Sequence, residues 1–166
     1  MSTPLVAIVG RPNVGKSTLF NRLIGRREAI VSNIPGTTRD RLIAPISWDG
    51  FSFILVDTGG LEPRPQDIMR DQVKAQVTVA VEDADLILFL LDVATGLTPT
   101  DQEIATWLRR SGKPIVVAIN KVDSEKHELL APEFYRLGLG DPQLISAYHN
   151  LGIYELMSQI ESLVPK

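Results

Sequence analysis

Two rhythms of apolar and polar positions alternate along this chain. Leu5-Val6-Ala7-Ile8-Val9, the run from Leu86 to Leu91 and the run from Pro114 to Ile119 are short and almost wholly apolar. They predict strands buried on both faces, because a strand with one wet face alternates instead. Between them, apolar residues return every three or four positions. Ser17 to Ile24 predicts a helix closed by Gly25, and Met69, Val73, Val77 and Ala80 predict another over Met69 to Ala84. Thr100-Asp101-Gln102-Glu103 reads as a helix start, with Ile104, Trp107 and Leu108 facing inward and Gly112 as the stop. Ile153, Leu156, Met157, Ile160, Leu163 and Val164 mark the clearest amphipathic helix. Leu42–Trp48 and Phe51–Val56 flank Asp49-Gly50, a hairpin turn signal. Gln143-Leu144-Ile145 reads as a short strand running into Ser146-Ala147. Arg26 to Asp40 shows no periodicity and carries a turn at Pro35-Gly36, while Ser124 to Asp141 yields only a short helix around Pro132 to Leu137. Strands alternating with helices predict an α/β fold, a parallel sheet covered on both faces.

Composition narrows the class. At 166 residues, with 44% hydrophobic and 22% charged residues, the chain is expected to form one globular domain spanning residues 1–166. The net charge of −3 makes no global electrostatic case for nucleic acid or membrane binding. No cysteine is present, which excludes disulfide and thiol chemistry and suits a reducing, cytoplasmic setting. No membrane partner is expected, since the apolar runs fall far below spanning length. His127 and His149 lack metal-ligand spacing and read as surface residues; Trp107 reads as core and Trp48 as edge-strand packing. Arg26-Arg27, Arg39 and Arg41 read as solvated charge, with contact to RNA or a partner domain as the alternative.

The chemistry begins at Gly10-Arg-Pro-Asn-Val-Gly-Lys-Ser17, between the first predicted strand and the first predicted helix. Glycines at this spacing let backbone N–H groups curl around a phosphate, and the helix N-terminus adds partial positive charge. Lys16 would reach the β- and γ-phosphates, and the Ser17 hydroxyl would ligate Mg²⁺. Asp57 ends a strand and would hold the same Mg²⁺ through water, while Gly60 would bring a backbone N–H to the γ-phosphate.

Asn120-Lys121-Val122-Asp123 names the base. A carboxylate can accept hydrogen bonds from N1–H and the 2-amino group of guanine; adenine offers neither donor on that edge. Asp123 would make that contact, Asn120 would meet the far edge of the base, Lys121 would lie across its face, and the Ser146-Ala147 backbone would support O6.

Gly10–Ser17, Thr38, Asp57–Gly60, Asn120–Asp123 and Ser146-Ala147 resemble, in order and across nearly the whole chain, the motifs of Ras-like P-loop GTPases. The longer stretches Gly10 to Leu23, Pro35-Gly-Thr-Thr-Arg-Asp-Arg41, Asp57-Thr-Gly-Gly60 and Phe134-Tyr-Arg-Leu-Gly-Leu-Gly140 resemble the first G domain of the Der (EngA) family, bacterial GTPases with tandem G domains. Era- and MnmE-like GTPases are the runners-up. The resemblance implies a three-layer fold with a six-stranded, mostly parallel sheet and one antiparallel edge strand, Leu42–Trp48. It implies GTP/GDP and Mg²⁺ as ligands, with Val14, Gly15 and Thr18 joining the nucleotide contacts and Thr38 joining Mg²⁺ and catalysis. It further implies a nucleotide switch in large ribosomal subunit assembly, with a second G domain and a KH-like domain belonging to the same protein.

One departure carries mechanistic weight. Leu61 stands where Ras-like proteins have a water-orienting glutamine, and it can neither donate nor accept a hydrogen bond. The resemblance implies that K⁺, held partly by Asn13, supplies the missing positive charge, and that turnover is slow, on the order of ~10⁻⁴ to 10⁻² s⁻¹. Leu61 also keeps open a regulatory nucleotide-binding module with negligible turnover. A phosphoryl-transferring kinase would share Gly10–Ser17 but have no use for Asn120–Asp123.

Overall fold

The computed structural model describes residues 3–25, 30–33, 40–57 and 69–164, and every structural statement below concerns those residues. The strands are β1 (Leu5–Val9), β2 (Ile30–Asn33), β3 (Asp40–Trp48), β4 (Phe51–Asp57), β5 (Leu86–Asp92), β6 (Ile115–Asn120) and β7 (Gln143–Leu144). The helices are α1 (Lys16–Ile24), α2 (Met69–Asp83), α3 (Pro99–Ser111), α4 (Glu125–Leu130) and α5 (Ile153–Leu163), with a 3₁₀ segment over Ala131–Leu137.

The strands form one sheet in the order β2-β3-β4-β1-β5-β6-β7. Its pairs are parallel from β4 to β7, whereas β3 runs antiparallel to both β2 and β4. The mostly parallel sheet agrees with expectation, but its edge does not. A seventh strand, β2, lies outside β3, so the antiparallel strand stands one place in from the edge. Only four residues long, β2 carries too short a pattern to register as periodicity in Arg26 to Asp40.

Alternation along the central strands builds two cores. Val6 and Ile8 of β1, with Leu86, Leu88 and Leu90 of β5, pack on the face covered by α1 and α5. Ala7 and Val9, with Ile87, Phe89 and Leu91, pack on the opposite face beneath α2, α3 and the 3₁₀ segment. Both faces are therefore dry, which is why these strands read as continuous apolar runs. Between β3 and β4, Asp49 (φ 48°) and Gly50 (φ 81°) are both left-handed, the turn that matches strand twist in a two-residue hairpin.

Strand order reverses at β1, whose neighbours are β4 and β5. In open α/β sheets, ligands bind outside the carboxyl ends of the strands at such a point. The Gly10–Ser17 loop leaves β1 there, and Asp57, Asp92 and Asn120 close β4, β5 and β6 at the same end.

Candidate functional site

The loop after β1 is shaped by close approaches. A Cβ on Gly10 would sit 2.6 Å from the Leu90 carbonyl oxygen, and one on Gly15 would sit 2.3 Å from Nδ2 of Asn120. Gly15 also has φ 102°, which side chains rarely adopt. Lys16 opens α1, and its Nζ donates to the carbonyls of Gly10 (2.8 Å) and Arg11 (3.1 Å) across the loop. Val14 is buried, whereas Asn13 is exposed and left-handed at φ 71°. Ser17 and Thr18 follow in the first turn of α1.

Asp57 is fully buried at the end of β4, in register with Ile8 of β1. Ser17 and Asp57 present a hydroxyl and a carboxylate, the oxygen donors a hard divalent cation takes, so they fit Mg²⁺. Thr38, Gly60 and Leu61 lie outside the described residues, as do Arg26, Arg27, Arg39 and the Pro35-Gly36 turn.

The Asn120–Asp123 segment is fastened to the phosphate loop. Asn120 is buried; its Nδ2 donates to the Val14 carbonyl (3.0 Å), and its Oδ1 accepts from the Ala147 N–H (2.9 Å). The amide expected at the far edge of a base thus spends one donor and its acceptor joining two loops. Lys121, left-handed at φ 70°, reaches back so that Nζ donates to the Asn13 carbonyl (3.1 Å) and to Oδ2 of Asp92 (2.8 Å). Asp92 also accepts from the N–H groups of Ala94 (2.8 Å) and Thr95 (3.3 Å) and from the Thr95 hydroxyl (3.1 Å). Burial pushes this carboxyl up, but the Lys121 ammonium and these donors outweigh it and hold the group below its ordinary value.

Ser146 and Ala147 follow β7 and are held from several sides. Ser146 exchanges backbone hydrogen bonds with Leu151, closing a turn. Arg22 of α1 donates from Nε to the Ala147 carbonyl (2.8 Å) and from Nη2 to the Tyr148 carbonyl (2.7 Å). Arg11, although in the phosphate loop, turns toward α3, with Nε 3.2 Å from Oδ1 of the fully buried Asp101.

Asp92, Arg22 and Asp101 were missing from the sequence-based site. The available signals were an acidic end to an apolar strand, an arginine in the last turn of α1 and an acidic residue at the start of α3; none identifies its partner, 29, 125 and 90 residues away respectively. The two histidines lie at the surface as expected, His149 exposed and His127 partly so, but both stand beside Asp123: Nδ1 of His127 lies 2.9 Å from Oδ1 and Nε2 of His149 lies 3.5 Å from Oδ2. Trp107, expected in the core, is half-buried with the Lys74 ammonium 5.9 Å from its ring centre.

A glycine-rich loop between β1 and α1 at the reversal point of a parallel sheet defines a P-loop nucleotide-binding fold. A family model described as 50S ribosome-binding GTPase matches residues 5–121, and the chain belongs to that GTPase family. A protein named GTPase Der from Myxococcus xanthus is 52% identical over 164 residues, 98% of this chain and 36% of that protein. Its namesake from Trichlorobacter lovleyi is 55% identical over 161 residues, 97% of this chain and 36% of that protein. The chain therefore spans about a third of the length of these relatives. Among solved structures, Aquifex aeolicus Era bound to GDP and AlF₄⁻ superposes with a TM-score of 0.78 at 34% identity, over 100% of this chain and 58% of that one. Era in complex with MgGDPNP and a 16S ribosomal RNA segment gives 0.78 at 35% identity, with the same coverage.

Proposed function

We propose that this chain is a G domain that binds guanine nucleotide with Mg²⁺, hydrolyses GTP to GDP and phosphate, and serves as the first G domain of a tandem-domain GTPase. The observation that carries the proposal is the cross-linking of the Gly10–Ser17 loop to Asn120–Asp123 through Asn120–Val14 and Lys121–Asn13. A phosphate-binding loop and a base-reading segment held in fixed relation are what a nucleotide-specific site requires.

In this reading Gly10, Gly15 and Lys16 hold the phosphates, with Val14 and Thr18 among the loop's contacts. Ser17 and Thr38, with Asp57 through water, would hold Mg²⁺, which would supply neutralisation of phosphate charge. Gly60 senses the γ-phosphate through its N–H. Asp123 accepts from guanine N1–H and the 2-amino group, and a site built on such polar pairs can discriminate by about 10⁴-fold or more. Lys121 and the Ser146-Ala147 backbone flank the base. Leu61 cannot orient water, so K⁺ near the exposed Asn13 is the proposed source of positive charge at the transferring phosphoryl. The Der names of the relatives and the family's ribosome-binding description support large-subunit assembly as the setting, and the 36% of the relatives' length that the chain spans is compatible with the proposed second G domain and KH-like domain.

Single-turnover GTP hydrolysis tests the chemistry. Phosphate release should be faster in KCl than in NaCl at matched ionic strength, and Asn13→Ala should remove that difference while leaving GDP binding nearly intact. Equal rates in both salts would exclude the K⁺ mechanism, and no turnover in either would favour the regulatory module. Asp123→Asn should weaken GTP and favour xanthosine nucleotides; unchanged GTP affinity would remove Asp123 from base reading.

A further inference from the structure

Asp123 leads directly into a helix start. Ser124 is the N-cap of α4, and its hydroxyl accepts from the backbone N–H of His127 (3.3 Å). This places His127 at the third helical position, where side chains reach back over the cap. In the usual form of that motif the third residue receives the cap's own N–H. The imidazole of His127 reaches one residue further, to Asp123.

The contact has a direction. Nδ1 lies 2.9 Å from the carboxylate oxygen Oδ1 and 3.4 Å from the Asp123 backbone nitrogen. One nitrogen cannot donate to the first and accept from the second, and the shorter, charge-assisted contact decides for a proton on Nδ1. His149 stands on the other oxygen, but at 3.5 Å and half-exposed it is too far to fix a rotamer. Lys121, two residues earlier in the chain, is committed to Asp92 and Asn13. Asp123 itself is 38% exposed, and among the described residues His127 is the donor that lies within 3 Å of its carboxylate.

We propose that His127 is a positioning residue for guanine recognition: its Nδ1–H holds Asp123 in the orientation that meets N1–H and the 2-amino group together. This inference rests on the guanine reading given above. Each carboxylate oxygen has two lone pairs, so accepting from His127 leaves capacity for the base. Fixing the carboxylate before ligand arrives removes an ordering cost from binding.

Binding of GDP, IDP and ADP to the chain and its variants is the test. Inosine lacks the 2-amino group, so only GDP depends on both contacts. His127→Ala should weaken GDP by about 3- to 10-fold, the range of one net hydrogen bond, and weaken IDP less, so the GDP-to-IDP preference falls. His127→Asn places an amide N–H near the position of Nδ1 and should restore the preference. His127→Gln places its amide further out and should not. Should His127→Ala lower the melting temperature, the Asn and Gln variants carry the comparison. Equal losses for GDP and IDP, or Asn behaving like Gln, would overturn the proposal by reducing His127 to a helix-start residue. A wild-type chain that binds ADP as well as GDP would instead remove the guanine reading itself.

Discussion

Asp92 concentrates several backbone and side-chain donors on one buried carboxylate, and Lys121 is the member that links it to the phosphate loop. Its carboxyl is held below the ordinary 3.8, so the folded state binds this proton less readily than the unfolded chain. The stabilisation is therefore present above the unfolded value and lost as pH falls through the lower folded value. Asp92→Asn keeps an oxygen for Ala94 and Thr95 but removes the charge facing Lys121. Because the Lys121 side chain is 44% exposed, the expected cost near neutral pH is only about 1 kcal/mol. Urea unfolding of both proteins across pH 7 to 3 should show the gap closing below the ordinary value; a gap constant with pH would remove the charge from the account. Residues of this kind resist reading from sequence. Gly10, Lys16, Asp57 and Asp123 stand out because phosphate and base chemistry dictate their types and spacing. Asp92, Arg22 and His127 hold Lys121, the Ala147 backbone and Asp123 in turn, and their roles depend on distances that only the folded chain supplies.

At the scale of elements, α3 shows one residue serving two structures. Thr98 caps the helix by accepting from the Asp101 N–H (3.1 Å), and Asp101 returns by accepting from the Thr98 N–H (3.0 Å). The same Asp101 side chain faces Arg11 of the phosphate loop, which is 14% exposed. Thr98→Ala should cost about 1 kcal/mol, the usual value of an N-cap. Asp101→Ala should cost more, about 3 kcal/mol, because it also leaves a mostly buried guanidinium unpaired. Equal losses in urea unfolding would mean that the ion pair adds nothing beyond the cap. The helix itself was legible from Thr100-Asp101-Gln102-Glu103 and the Gly112 stop, within one residue at either end. By contrast α4 was not, since Glu125–Leu130 buries no residue and so carries no apolar period. It is set by the Ser124 cap and by the 3₁₀ segment that follows, whose Ala131, Phe134 and Leu137 reach the core.

For the whole molecule, the parallel strands and their dry faces were legible because burial on both sides writes an apolar run. What sequence could not show is how the loops at one end are bound into a unit. The Gly10–Ser17 loop touches Asn120 and Lys121, Asn120 touches Ala147, and Arg22 of α1 closes the circuit at Ala147 and Tyr148. These loops descend from β1, β6, β7 and α1, so they are rooted in the sheet and in a helix packed on it. A ligand that bridges phosphate loop and base segment should therefore stabilise the cooperative unit and not one loop alone. At free GDP about 100-fold above its dissociation constant, with Mg²⁺ present, linkage gives about 2.7 kcal/mol. For a domain of this size each kcal/mol moves the melting temperature by about 2–4 °C, so the expected rise is about 5–10 °C. ADP at the same concentration should give almost none. Asn120→Ala cuts the circuit at its centre by removing both the Val14 and Ala147 contacts. That variant should melt lower without ligand and also respond less to GDP, because its phosphate loop and base segment are no longer held in register. A full GDP shift in Asn120→Ala would show that ligand alone brings the loops together and that their cross-linking is not needed for binding.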